Sequence, residues 1–218
     1  MLITFFSNFT QNNLILKNLA IILTFTILFF VYCCKKDGEP QIPIDQLPAI
    51  TTIGANTAGC IINGLILVPK NGSQSIGGAA INGLNLIKGN NFWPNKNDYW
   101  QLEIANKKDV NGLGIFLWIK NMQNGNGDYN IGQSNGELYA DGPNNNQLIA
   151  GVSINGINKT FYSSVNSGMI KIIRSDLATG ISIYSGTFSG ILYNKDNKTE
   201  TIQISEGRFD INNLTLNK

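Results

Sequence analysis

Three sets of side chains in this sequence have the types and spacing to do chemistry. The first is acidic. Asp98 with Glu103, Asp128 with Glu137 and Glu206 with Asp210 are the pairs from which a glycoside hydrolase would draw its two carboxylates. A strand turns successive residues to opposite faces, so Asp98 and Glu103 face apart. Glu206 and Asp210 share parity, but Gly207 interrupts them. The second set is rich in oxygen. Asn124, Asn126, Asp128 and Asn130 stand at every second position, as ligands do in calcium loops. The run lacks the glycine after the third ligand and the closing bidentate Glu of the EF-hand pattern, so no metal is assigned to it. Asn194 to Glu200 is a poorer version. The third set is aromatic. Phe92, Trp93, Tyr99 and Trp100 lie close together, with Trp118 and Tyr129 beyond them. Flat rings among amide side chains can stack on a sugar while the amides bond its hydroxyls. Trp100 and Trp118 fit an interior, where Trp dominates burial. Phe92, Trp93 and Tyr129 are left as the ligand-binding candidates.

Nucleophiles are poorly served. The chain has no histidine, which removes the commonest general base and the usual catalytic triads. Cys60 is followed by Ile61 and Ile62, a setting for a buried, inert thiol. No catalytic residue and no cofactor is assigned, and the expectation is a protein that is not an enzyme.

Composition narrows the class. Of 218 residues only 14% are charged, and the net charge is +2. Lys17, Lys35 and Lys36 supply much of the basic excess, so no basic face for nucleic acid is indicated. Asparagine is about one residue in seven. Asn and Gly form turns and weaken helix interiors. Many short strands joined by tight turns follow from that.

The elements that position these residues begin with an uncharged run, Leu19 to Cys34. It is about the length of the apolar core of a secretory signal and short of the roughly 20 residues of a membrane span. It ends in Cys33-Cys34 and is followed by Lys35-Lys36-Asp37-Gly38-Glu39. Bacterial lipoprotein signals end this way, in a cysteine that receives lipid. Cys34 is the expected attachment point, with Cys33 the alternative. Pro40, Pro43 and Pro48 mark an extended linker.

Beyond Ile50 the pattern is that of strands. Asn-Gly recurs, and between apolar runs it is a strong hairpin signal. Cys60-Ile61-Ile62 and Leu65 to Val68 flank Asn63-Gly64. Trp100, Leu102 and Ile104 alternate with polar residues, as do Leu148, Ala150, Val152 and Ile154. Gly112 to Lys120 is apolar on both faces and reads as a central strand. Asn121 to Asn146 reads as long loops with one short hairpin at most. At the C-terminal end, Ile181 to Tyr193 and Thr199 to Ile211 read as antiparallel partners around Lys195-Asp196-Asn197-Lys198. A turn centred between Asp196 and Asn197 sets Ile191 opposite Ile202, Tyr184 opposite Phe209 and Gly186 opposite Gly207. That register moves the apolar face at the two glycines, and a bend is expected there.

Two stretches carry a family resemblance. One is Gly54-Ala-Asn-Thr-Ala-Gly-Cys-Ile-Ile-Asn-Gly64; the other is Gly207-Arg-Phe-Asp210. Together they resemble a family of small Gram-negative bacterial lipoproteins of unknown function. The resemblance implies export and a β fold, and no catalytic residue.

The expectation is therefore an all-β fold, an antiparallel β-sandwich or partly closed barrel of roughly eight to ten strands, preceded by a signal helix. Residues 1–34 form the lipoprotein signal, 35–50 the linker and 51–218 the β-domain. The protein is expected at the outer membrane, on its periplasmic or surface side, held by lipid, with a binding or structural role. A glycan or an envelope protein is the expected partner. A carbohydrate-binding accessory role and a carboxylate-dependent glycoside hydrolase are the alternatives.

Overall fold

Alternating apolar residues need a partner surface, and here one sheet provides it by curling on itself. The computed structural model describes residues 45–73, 81–89, 99–109, 112–139, 142–154, 156–176 and 182–218. The run Leu19 to Cys34, with Cys33 and Cys34, lies outside the described residues, as do Phe92 and Trp93. The strands are β1 Thr57–Ile62, β2 Leu65–Leu67, β3 Leu84–Gly89, β4 Tyr99–Ala105, β5 Gly114–Lys120, β6 Gly127–Asn130, β7 Gln147–Ile154, β8 Ile157–Ser175, β9 Ile183–Asn194 and β10 Thr201–Asn212. They form one antiparallel sheet in the order β2-β1-β10-β9-β8-β7-β5-β4-β3, with β6 beside β8. The sheet is rolled into a half-barrel, so the expected all-β class holds. Among the described residues the only helical piece is the 3₁₀ turn Met122–Asn124.

The concave face is the core. Ile104, Ile115, Leu117, Leu148, Phe161, Ile170 and Leu192 are fully buried there. Trp100 is buried in this core, as expected; Trp118 is buried too, but on the opposite face of β5 with Phe116, so it is not the core residue that the sequence suggested. The roll brings β4 onto β9: the rings of Trp100 and Tyr184 meet edge to face, with centroids 3.8 Å apart. Lys88 on β3 donates to the Tyr184 hydroxyl at 2.8 Å. Beyond β2, Lys70 N–H donates to Ala105 C=O and Lys70 C=O accepts from Lys107 N–H, which fastens that end of the sheet to the end of β4. The compact unit starts at Asp45, where an ion pair with Lys70 at 2.6 Å holds the chain. The last residues of the expected linker thus pack with the domain.

Turn chemistry behaves locally as read. Asn63 and Gly64 both have positive φ, 47° and 84°, and join β1 to β2 in a two-residue turn of the kind that matches strand twist. β7 and β8 pair up to Ile154 and Ile157, and Gly156 between them has φ 76°. Asn121 to Asn146 is more firmly tied to the sheet than a run of long loops would be. Its strand β6 pairs outside the segment, with the far half of β8, and a single antiparallel bridge joins Tyr139 to Gly142 within it. Side chains organise the rest. Ser163 Oγ donates to Gly132 C=O and accepts from Leu148 N–H, while Ser134 Oγ donates to Gln147 Oε1. All three side chains are buried and satisfied, so they fix the loop to the sheet.

The C-terminal hairpin exists, but its register is not the expected one. Ile202 faces Leu192, and Gln203 faces Ile191. Between Ile204 and Gly207 the pairing slips by a further residue, after which Gly207 faces Phe188 and Phe209 faces Gly186. The slip is a bulge at Ser205-Glu206, and Glu206, not a glycine, takes positive φ, 51°. The apolar face does not move. On β9 the inward set is Tyr184, Phe188 and Leu192, all of one parity. On β10 the inward set changes from Ile202 and Ile204 to Phe209 and Ile211. The bulge restores the face that this change of parity would otherwise lose. The two glycines face phenylalanines across the ladder because backbone and ring leave no room for a Cβ. One added at Gly207 would lie 2.4 Å from Phe188 O, and one at Gly186 2.4 Å from Lys171 O.

Gly207→Ala and Gly186→Ala are each expected to cost about 1–3 kcal/mol. At Gly151 nothing lies within 4 Å of an added Cβ, so Gly151→Ala should be neutral or stabilising by up to about 1 kcal/mol. Urea denaturation of the three variants checks the contrast.

Candidate functional site

Asp210 is the most heavily bonded acid. It sits on the outward side of β10 yet is only 2% exposed, because residues 51–55 lie across it. Its carboxylate accepts from Thr51 Oγ1 at 2.6 Å, Ser185 Oγ at 2.6 Å, and the successive N–H groups of Ile53, Gly54 and Ala55 at 3.0, 2.8 and 3.1 Å. Successive N–H groups around an anion form a backbone nest. Burial alone would push this carboxyl up, but the bonds from Ser185, Thr51, Ala55 and Gly54 hold it below the usual carboxylate range. Its pair partner from the sequence, Glu206, is exposed and bonds Arg208 at 2.9 Å. That pair is a clasp and a surface ion pair, not an acid and a base facing one substrate. Asp128 and Glu137 are engaged in different places. Glu137 bonds Tyr139 in its own loop, while Asp128 lines a cavity with Asn121 and Asn124. Asp98 lies outside the described residues.

Cys60 is fully buried on β1, and burial pushes its thiol up to about 12. Tyr129 is buried as well, and its hydroxyl donates to Gly125 C=O at 2.7 Å. Its ring belongs to the core.

A site that the sequence reading missed lies on the convex face. Four small residues stand directly opposite one another across four strands: Ala105 on β4, Gly114 on β5, Gly151 on β7 and Thr160 on β8. Together they form the floor of a trough of about 450 Å³. Phe116, half-buried, is one wall, one step along β5 on the same face. Glu103, which pairs with Phe116, stands beside it. Ser153 and Asn158, paired across β7 and β8, line the other side. Both Glu103 oxygens are engaged, one by Asn85 Nδ2 at 3.0 Å and one by the Lys107 amine. Lys159 lines the trough while bonding Glu200 at 2.6 Å. The lining offers a flat ring, a shallow floor, and a rim of carboxylate, amide, hydroxyl and ammonium groups. Such a surface can lie against the apolar face of a polyhydroxylated ligand and bond its hydroxyls. The signal present in the sequence was Gly151, a glycine in the middle of an alternating strand, which leaves a gap in the outward row of side chains; no atom lies within 4 Å of a Cβ built there.

No protein-family model, no curated protein and no solved structure matches this chain.

Two outcomes follow for the buried groups. The depressed Asp210 carboxyl stabilises the fold fully above the unfolded-state value near 3.9, and that contribution is lost as pH falls through the lower folded value. Asp210→Asn should be less stable at pH 7 and should flatten the acid limb of a stability-versus-pH curve measured by denaturant titration. Alkylation of Cys60 by iodoacetamide should be slow in the native protein and fast in denaturant; equal rates would contradict its burial.

Proposed function

We propose that the protein is a lipid-anchored binding module of the bacterial cell envelope, with no catalytic role, and that its ligand is a glycan. The observation that carries the glycan reading is the trough: a half-buried Phe116 beside a glycine floor, rimmed by Glu103, Ser153, Asn158 and Lys159. Glu103 has both oxygens committed to neighbours, which suits a group that orients hydroxyls better than one that exchanges a proton with a substrate. The export reading rests on the uncharged run before Cys33-Cys34 and the tether behind it, and two or three acyl chains would hold the protein firmly in a bilayer. The trough opens on the convex face, where it can meet envelope polysaccharide.

A glycan array with the purified protein tests the binding. Phe116→Ala should weaken binding about tenfold or more, in line with loss of an aromatic contact. Gly151→Val, which fills the floor without touching the core, should abolish it while leaving the circular dichroism unchanged. Absence of any glycan hit, or hits that both variants retain, would overturn the assignment. Mass spectrometry of the membrane-extracted protein should find diacylglycerol on Cys34 or Cys33; a mature chain that still begins at Met1 would refute the anchor.

A further inference from the structure

The rings on the convex face reach further than the trough. Glu103 on β4 stands opposite Phe116 on β5, Phe116 opposite Ile149 on β7, Ile149 opposite Tyr162 on β8, and Tyr162 opposite Tyr193 on β9. Side chains directly opposite one another in a ladder share a face, so the five form one row across the strands. The row runs beside the trough floor, two residues along each strand from Ala105, Gly114, Gly151 and Thr160. From Phe116 to Tyr193 it crosses three strand spacings, roughly 14 Å. The lining of the trough stops at β8; the row does not.

Alternation puts Tyr162 and Tyr193 on the outside. Their neighbours Phe161 and Leu192 fill the core, so the two tyrosines stand on the convex side, where both are half-buried. Their hydroxyls are unspent. Tyr129 gives its hydroxyl to Gly125 C=O, and the Tyr184 hydroxyl accepts from Lys88. The hydroxyls of Tyr162 and Tyr193 make no hydrogen bond among the described residues, and both remain open to solvent. Gly136 braces Tyr162: a Cβ added there would lie 2.3 Å from the Tyr162 Oη. The ring is set in place before a ligand arrives. A flat face with a free polar tip is what a sugar can both lie against and bond.

We infer that the trough and this row bind an extended oligosaccharide chain laid across the strands, with Phe116 on one sugar and Tyr162 and Tyr193 forming a second subsite. The inference rests on the glycan reading of the trough. One sugar ring cannot meet both ends of a row roughly 14 Å long, so the site selects a chain of several units over its monosaccharide. β7 and β8 lie between β5 and β9 and fix the spacing of the two subsites through the ladder, where a loop would leave it adjustable.

A glycan array printed with cello-, malto-, manno-, xylo- and chito-oligosaccharides, each from monosaccharide to hexasaccharide, tests this on the full-length protein in detergent micelles. In a series that binds, the signal should rise about tenfold or more from disaccharide to hexasaccharide. Tyr193→Ala should remove most of that gain and leave the disaccharide signal as it was. Tyr193→Phe, which keeps the ring, should retain most of the gain, and Phe116→Ala should lower the signal at every length. The length series on the unaltered protein decides the point even where Tyr193→Ala fails to fold. Equal signals at all lengths, or a hexasaccharide signal that folded Tyr193→Ala keeps in full, would overturn the second subsite and leave the glycan reading standing. No signal from any series would remove both.

Discussion

The Asp210 carboxylate ties the strap of residues 51–55 to β9 and β10. It stands on β10, at a position whose alternation points it away from the core. It is buried because residues 51–55 fold over it and direct three consecutive backbone N–H groups and the Thr51 hydroxyl at its oxygens. Ser185 on β9 completes the set. A carboxylate taken from water without a cation requires this many donors, since each oxygen must recover the bonds it gave up. Two guanidinium groups hold the same strap from outside: Arg174 donates to Thr52 C=O and Arg208 to Pro48 C=O. Removing the acceptor, as in Asp210→Ala, would leave several donors facing no partner, a loss of at least about 3 kcal/mol.

The clasp also gives a physical role to two short motifs, Gly54 to Gly64 and Gly207 to Asp210. The opening motif supplies Gly54 and Ala55 N–H to Asp210, and Asn56 Oδ1 to Asn212 N–H. The closing motif supplies Asp210 itself, Arg208 for the strap, Phe209 for the core and Gly207 under Phe188. β1 pairs with β10 through Thr57 and Asp210. The two motifs are the two halves of one structural joint.

Local features of the sequence were legible, and features set by distant pairing were not. The alternation of Trp100, Leu102 and Ile104 and the Asn63-Gly64 turn depend on neighbours within a few residues, and both appear as read. The β9–β10 register depended on locating one extra residue. Glycine was the natural place to look for it, yet the left-handed residue is Glu206, which is held there by Arg208 bonding both its carboxylate and its C=O. The trough floor was further out of reach. Gly114 and Gly151 meet only because β5 and β7 are neighbours, and the segment between them is the one whose course composition describes least. The burial of Asp210 likewise rests on Thr51, 159 residues away.

The division of labour among polar residues then bears on where function lies. In a chain with so few charges, amides and hydroxyls do most of the work of satisfying backbone groups where the chain leaves the sheet. Ser134 in the long loop and Ser163 on β8 are spent in this way, as are Asn56, Asn63 and Asn146 near strand ends. Asn158 and Ser153 at the trough are not spent in that way; they line the convex face, apart from the clasp. A substitution there leaves the joint at Asp210 to hold the domain together.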